Sequence, residues 1–249
     1  MNQKFEQKIG FIGQGWIGRN YAKDFQKRGY NVICYDLSPE YIINKEEIKK
    51  CDIVFIAVPT PTTPKGYDDS IVREAVSLVG EGKIAVIKST MFPGSTEKLQ
   101  KKYPAVFVFN SPEFLSTSTA EHDASHPNRN IIGMPISNEI YKEKALRVLS
   151  ILPQAPYEKI CTSREAEIIK YSRNILGYAR VIFSNILYDA TMSLEADWYP
   201  IQEAVSSDPD NGHTYANPIH KSGRGAGGGC FIKDFEAFIQ FYKKKCARR

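Results

Sequence analysis

The sequence is short of several things, and each shortage narrows what the chain can be. Its cysteines, Cys34, Cys51, Cys161, Cys230 and Cys246, are odd in number and have no CxxC spacing. That argues against a disulfide framework or a zinc site and for reduced thiols in a cytoplasmic protein. No metal site is expected. No apolar run approaches the ~20 residues that a membrane-spanning helix needs. The start, Met1-Asn2-Gln3-Lys4-Phe5-Glu6, lacks the apolar core of a signal peptide, so no membrane partner is expected. Neither sign of charge dominates: 33 Lys and Arg against 28 Asp and Glu leave +5. This balance suits an anionic substrate or cofactor, but no cluster reads as a nucleic-acid groove binder. Repeats are lacking, and one glycine run is the only low-complexity stretch. What is present is 42% hydrophobic and 12% aromatic residues in 249 positions, enough for one large domain or a domain with an appendage.

The N-terminal stretch is the most ordered in its pattern. Residues 8–12 form a short apolar run that leads into Gly13-Gln14-Gly15-Trp16-Ile17-Gly18. A helical pattern over 19–28 closes at Gly29, and Asn31-Val32-Ile33-Cys34-Tyr35-Asp36 is a second strand ending in an acid. Strand, glycines, helix, strand and acid in this order form a dinucleotide-binding fingerprint. The first glycine permits the tight turn, the second lets a pyrophosphate approach the backbone, and the third lets helix pack on strand. Asp36, 18 residues beyond Gly18, would accept from a ribose 2′-hydroxyl. No Arg follows in Leu37-Ser38-Pro39-Glu40, so NAD is favoured over NADP.

Further apolar runs follow at 51–58, 84–88, 106–110 and 131–133, the last read as the final strand. Helical patterns lie at 70–80, behind Asp69-Ser70 as the cap, and at 138–152. Strands alternating with helices predict a Rossmann-like, doubly wound and mostly parallel sheet, with ligands at the strands' C-terminal ends. The loop Pro59-Thr60-Pro61-Thr62-Thr63-Pro64 cannot continue a sheet and would cover the cofactor crevice.

The character changes near Thr162. Residues 163–196 contain no Pro and a single Gly177, and Ile168, Ile169, Ile175, Leu176, Ile182, Phe183 and Ile186 recur with helical spacing. One long helix is predicted, capped by Ser163, with Glu165 and Glu167 in its first turn and Lys170 and Asn174 on one face. Helices over 198–206 and 234–245 flank a polar loop and the run Gly225-Ala226-Gly227-Gly228-Gly229-Cys230. Glycines let backbone approach a ligand closely, so the thiol is expected to be presented rather than buried. The division expected is a dinucleotide-binding domain over 1–160 and a long central helix with a small helical region over 161–249.

These motifs together resemble the nucleotide-sugar dehydrogenases that include UDP-glucose and GDP-mannose dehydrogenases. The resemblance rests on Gly13-x-Gly15-x-x-Gly18, Val58-Pro59-Thr60-Pro61, Ser89-Thr90, Pro112-Glu113-Phe114-Leu115, Ala166-Glu167-x-x-Lys170-x-x-x-Asn174 and Gly227-Gly228-x-Cys230-x-x-Lys233-Asp234, in family order. It implies oxidation of a primary alcohol to a carboxylate with two NAD, through a covalent cysteine intermediate. Cys230, Lys170, Asn174, Glu113, Thr90 and Asp234 are then the catalytic candidates. Gly13, Gly15, Trp16, Ile17, Gly18, Asp36, Val58, Pro59, Thr60, Ser89, Thr90 and Thr117 would hold the cofactor. Glu113, Phe114, Leu115, Lys170, Asn174, Lys221 and Gly227 would hold a nucleotide sugar.

The chain departs from the family pattern in three ways. Thr117 stands where a Glu is usual, and Ile232 where a Pro is usual. Arg249 comes fifteen residues after Asp234, so the family's C-terminal nucleotide-binding domain is expected to be missing or supplied separately. A homodimer through the long helix is also implied. Two other readings stay open: a β-hydroxyacid-type dehydrogenase, which needs no cysteine, and a non-catalytic NAD-binding partner.

Overall fold

The structure is a computed structural model that describes residues 7–63, 66–212, 214–220, 223–226 and 229–246. It divides into two compact units, 1–170 and 171–249. In chain order the first contains β1 (Lys8–Ile12), α1 (Trp16–Lys27), β2 (Asn31–Tyr35), α2 (Lys45–Ile48), β3 (Ile53–Ile56), β4 (Thr62–Thr63), β5 (Gly66–Tyr67), α3 (Ser70–Ser77), β6 (Ile84–Ile87), α4 (Ser95–Lys102), β7 (Phe107–Asn110), α5 (Ala120–Ser125), β8 (Arg129–Met134), α6 (Glu139–Ile151) and β9 (Tyr157–Thr162). α7 (Ser163–Ser193) begins in the first unit and continues into the second. There follow α8 (Trp198–Ser207), the pair β10 (Ile219–His220) and β11 (Gly223–Arg224), and α9 (Gly229–Lys245).

Seven strands form one sheet in the order β2-β1-β3-β6-β7-β8-β9. Every pairing is parallel except β7 with β8, whose register is Asn110↔Gly133. The chain runs outward from β1 to β2, then returns past β1 to β3. That reversal is the topological switch point, where the C-terminal strand ends leave a crevice. Strand residues alternate between two cores because successive side chains face opposite sides. Phe11, Ile53, Phe55, Ile84, Val86 and Phe109 pack with α1 and α6. Val54, Ile56, Ala85, Ile87 and Val108 pack with α3 and α4. The two-sided burial matches the near-continuous apolar runs of a parallel sheet. Phe11 stacks on Phe55 at 5.1 Å and meets Phe25 edge-on at 5.4 Å.

Several boundaries differ from the sequence expectation. α1 starts at Trp16, inside the glycine fingerprint. The strand at 131–133 is not the last; β9 follows it as a polar edge strand. α4 and α5 had no strong apolar period to reveal them. Asp69 does not cap α3 with its side chain; Ser70 N–H donates to Asp68 instead, at 2.8 Å. Ser163 is not the cap of α7, because its hydroxyl is buried and has no hydrogen-bond partner among the described residues. Thr162 and Glu165 form a capping box: Thr162 N–H donates to Glu165 Oε2 at 2.7 Å, and Glu165 N–H to Thr162 Oγ1 at 3.4 Å.

Among the described residues no helix is long and apolar enough to cross a membrane. No group of three or more His, Cys, Asp or Glu among them is placed to hold a metal ion.

Candidate active site

The glycine loop lies between β1 and α1, at the switch point. Gly13 has φ of +91° and its N–H is held by Tyr35 O at 2.9 Å. A Cβ there would strike the Ala57 carbonyl, and one on Gly18 would strike Gly13 O. Gly15 has nothing within 4 Å of a would-be Cβ, so its face is open for a close-approaching group. Trp16 and Ile17 begin the helix and are half-buried, which aims the first N–H groups of α1 at that opening. Asp36, just past β2, accepts from Gln14 N–H at 2.6 Å and Ser38 N–H at 3.2 Å. The acid is therefore fixed against the loop. An open glycine between two sterically obligatory ones, with a carboxylate beside them, fits a dinucleotide.

The neighbouring strand ends are laced together. Ser89 Oγ accepts from Val58 N–H at 3.0 Å and donates to Val58 O at 2.7 Å. Thr60 Oγ1 donates to Thr90 O at 2.9 Å. Pro59 remains exposed between Val58 and the buried Thr60. The residues expected to hold the cofactor at 58–60 and 89–90 are thus one bonded ledge.

Glu113 lies beyond β7, and Lys170 on α7. Both are buried, at 6% exposure each. Lys170 Nζ donates to Glu113 Oε1 at 2.7 Å and to Glu113 O at 2.8 Å. Glu113 Oε2 accepts from Leu115 N–H at 2.8 Å. A buried ion pair survives only when its geometry is good and hydrogen bonds support it; here two Lys170 donors and both Glu113 carboxylate oxygens are engaged. Phe114 is covered by Arg129, 3.9 Å from its ring centroid, and lies 5.8 Å from Lys170 Nζ. Thr117 is exposed in the turn beyond and takes no part in the ion pair.

In the second unit Asn174, one turn after Lys170, is also buried. Asn174 Nδ2 donates to Asp234 Oδ2 at 2.5 Å, and Lys233 Nζ to Asp234 Oδ1 at 2.6 Å. Asp234 is 1% exposed and both its oxygens are engaged. Lys170 and Asn174 therefore do not lie on a solvated helix face. α9 begins at Gly229 rather than at 234, so Cys230 is the second residue of a helix and not the end of a loop. The Cys230 side chain, Lys221 and Gly227 lie outside the described residues, as do Gly228, Pro64 and Arg248-Arg249. Phe231, the next residue, packs its ring edge-on against Tyr215 at 5.1 Å and into the space left by Gly177.

Three of the described cysteines are buried or half-buried thiols poorly suited to act as nucleophiles. Burial pushes Cys34, Cys51 and Cys161 each up to about 11, so they are protonated at neutral pH. Sequence reasoning missed Glu167 as a structural anchor. Its carboxylate accepts from Gly94 N–H at 2.5 Å and from Thr96 N–H at 2.9 Å and Thr96 Oγ1 at 2.7 Å. It caps α4, and burial raises its pKa. Lys88 was missed too, although an apolar strand ending in lysine is a visible signal.

Comparison with known proteins gives the same reading. Residues 42–149 match the NAD binding domain of the UDP-glucose/GDP-mannose dehydrogenase family, and residues 164–248 its central domain. NAD is the cofactor that this domain takes. The chain is 26% identical over 283 residues to the UDP-glucose 6-dehydrogenase TuaD of Bacillus subtilis (strain 168), covering 95% of this chain and 59% of that protein. A UDP-glucose dehydrogenase structure from Pyrobaculum islandicum superposes with a TM-score of 0.83 at 27% identity, covering 98% of this chain and 66% of that one. A 3-hydroxyisobutyrate dehydrogenase of Mycobacterium tuberculosis, at 14% identity and a TM-score of 0.72, shares the fold over 96% of this chain and 87% of its own. The chain thus spans about three fifths of the length of that curated relative. With its two matched regions, its NAD-type glycine loop and its sheet order, the chain belongs to the UDP-glucose/GDP-mannose dehydrogenase family.

Proposed function

We propose that the chain carries the cofactor half and the catalytic residues of an NAD-dependent nucleotide-sugar 6-dehydrogenase of the UDP-glucose type, acting in the cytoplasm. The observation that carries this reading is the buried Glu113–Lys170 pair, placed past the C-terminal end of β7 with both partners hydrogen-bonded. Bound NAD would supply the hydride acceptor in each of two oxidations. Cys230 is the nucleophile: its thiolate adds to the aldehyde, and the adduct loses a hydride to become a thioester. Two of the Lys170 ammonium protons go to Glu113, and the third is assigned to the oxyanion with the Asn174 amide. Glu113 takes the proton of the water that hydrolyses the thioester, and the thiol leaves. Thr90 and Asp234 orient that water or its donors. Phe114, Leu115, Lys221 and Gly227 are assigned to the sugar nucleotide.

The reading includes a homodimer through α7. Leu176, Phe183 and Ile186 are each exposed by 58% or more along that helix, a stripe suited to a second copy. A monomer mass in light scattering at micromolar concentration would count against it.

The decisive experiment feeds UDP-glucose and, separately, its 6-aldehyde to wild type and Cys230→Ser, and follows both reduced cofactor and acid. Acid formation should vanish in the variant while some alcohol oxidation remains. Acid formation at the wild-type rate by the serine variant removes Cys230 from the chemistry. A β-hydroxyacid-type dehydrogenase has the same fold. Turnover of β-hydroxyacids and not of UDP-sugars would select that reading, and NAD binding without either turnover would select a non-catalytic partner.

A further inference from the structure

Lys88 is a buried cation that these steps do not use. It follows β6 directly, is 4% exposed, and donates its own N–H to Ile56 O at 2.8 Å. Its Nζ donates to Ser111 Oγ at 3.0 Å and stands 4.7 Å from the centroid of the Tyr21 ring. Ser111 lies two residues before Glu113, and its N–H is fixed to Ile87 O at 2.8 Å. Segment 111–113 is therefore gripped by an ammonium at each end, Lys88 at Ser111 and Lys170 at Glu113.

The groups facing Lys88 are Tyr21 of α1, Glu113, and, around a small opening, Asp123 of α5, His126 just past it and Arg129 of β8. Asp123 is committed to Ser116 N–H and Thr119 Oγ1, both at 2.8 Å. His126 bonds Ser125 Oγ at 3.0 Å. Arg129 lies over Phe114. Tyr21 is held protonated by its burial. Glu113 is the carboxylate that acts on Lys88.

We propose that Lys88 is a positioning residue for Glu113: it holds the 111–113 segment through Ser111, so that the Glu113 carboxylate stays aligned with Lys170 and with Leu115 N–H. The proposal rests on Glu113 acting as a base. The charge-assisted hydrogen bond from Lys88 to the Ser111 hydroxyl fixes the chain just past β7, two residues before Glu113. Burial lowers Lys88 from the ordinary 10.5 to about 8, against the pull of Glu113. The Lys88 ammonium is thus present at neutral pH and lost above about 8. The unfolded chain keeps this proton up to about 10.5, so it binds more protons than the folded chain between those values. Stability from this group therefore rises with pH across that window, and the full penalty of burying the charge stands below it.

The test uses the full chain as wild type, Lys88→Met and Lys88→Arg. The readout is hydrogen exchange at Leu115, whose N–H is donated to Glu113. Wild type should lose protection at Leu115, beyond the intrinsic pH slope, as pH passes about 8. Lys88→Met should show about tenfold lower protection at pH 7. Lys88→Arg should restore the protection and abolish the step. If Lys88→Met does not fold, Ser111→Ala should reproduce the loss of protection. Unchanged Leu115 protection in a folded Lys88→Met or Ser111→Ala would overturn the proposal. So would equal losses in Lys88→Arg and Lys88→Met. This readout needs no turnover, so a chain without dehydrogenase activity would count against the function alone.

Discussion

Two glycine-rich stretches in this chain look alike as text and differ in physics. In the loop after β1, Gly13 and Gly18 are obligatory. One has a positive φ, and both would drive a Cβ into backbone. Gly15 between them is open. In the stretch before α9, Gly225 has φ of +93° but nothing within 4 Å, and Gly223 is equally open. The first loop uses its glycines to fit backbone against backbone, which leaves one face free for a ligand. Gly225 supplies turn freedom, Gly223 lies in β11, and Gly229 already belongs to a helix. Counting glycines therefore says little, and what a Cβ would meet says much.

The comparison can be tested from its strongest member downward. Gly18→Ala or Gly13→Ala should destabilise the first unit by about 2–4 kcal/mol, combining overpacking with, at Gly13, a disfavoured φ. Urea denaturation measures this, and a loss below about 1 kcal/mol would break the claim of steric necessity. Asp36→Ala should weaken NAD by about 1.5–3 kcal/mol, because a charged acceptor is lost. It should also narrow the gap to NADP, which the carboxylate repels. Calorimetry with both cofactors decides, and equal affinities in wild type would end the NAD preference. Gly15→Ala should leave stability within about 0.5 kcal/mol yet raise the dissociation constant for NAD by about tenfold, since the methyl fills the open face. Unchanged binding there would show that no pyrophosphate approaches it. Gly225→Ala should cost about 1 kcal/mol from its φ alone and leave NAD affinity untouched. A change in NAD affinity would show that the two stretches are coupled.

The legibility of the molecule follows the same divide. Local pattern exposed β1, the glycine loop, β2 and Asp36 because a short-range strand-turn-helix unit dictates them. It also exposed α6, capped by Asn138 through Tyr141 N–H at 2.9 Å, and most of α7. It did not show that α9 starts at Gly229, since glycine is a poor helix former and only docking can overrule that. Phe231 against Gly177 and Phe235 against Tyr178 at 4.6 Å provide such docking. Nor did it show β9, whose first residues are exposed and polar.

At the candidate site, residue types and their order were legible in the sequence, and the pairings came from tertiary structure. Lys170 and Asn174 are four apart on a helix, which by itself says only that they share a face. Folding sends Lys170 to Glu113, 57 residues away, and Asn174 to Asp234, 60 away. Glu167 looked like a favourable first-turn acid of its own helix and instead caps α4. Lys88 looked like the end of a strand and is a buried ammonium. By itself the sequence determined the cofactor fold, because that depends on near-neighbour turns and apolar periods. Which carboxylate meets which cation was decided only in three dimensions. Burial removes water as the alternative partner and leaves each charge to the group that the sheet and helices bring to it.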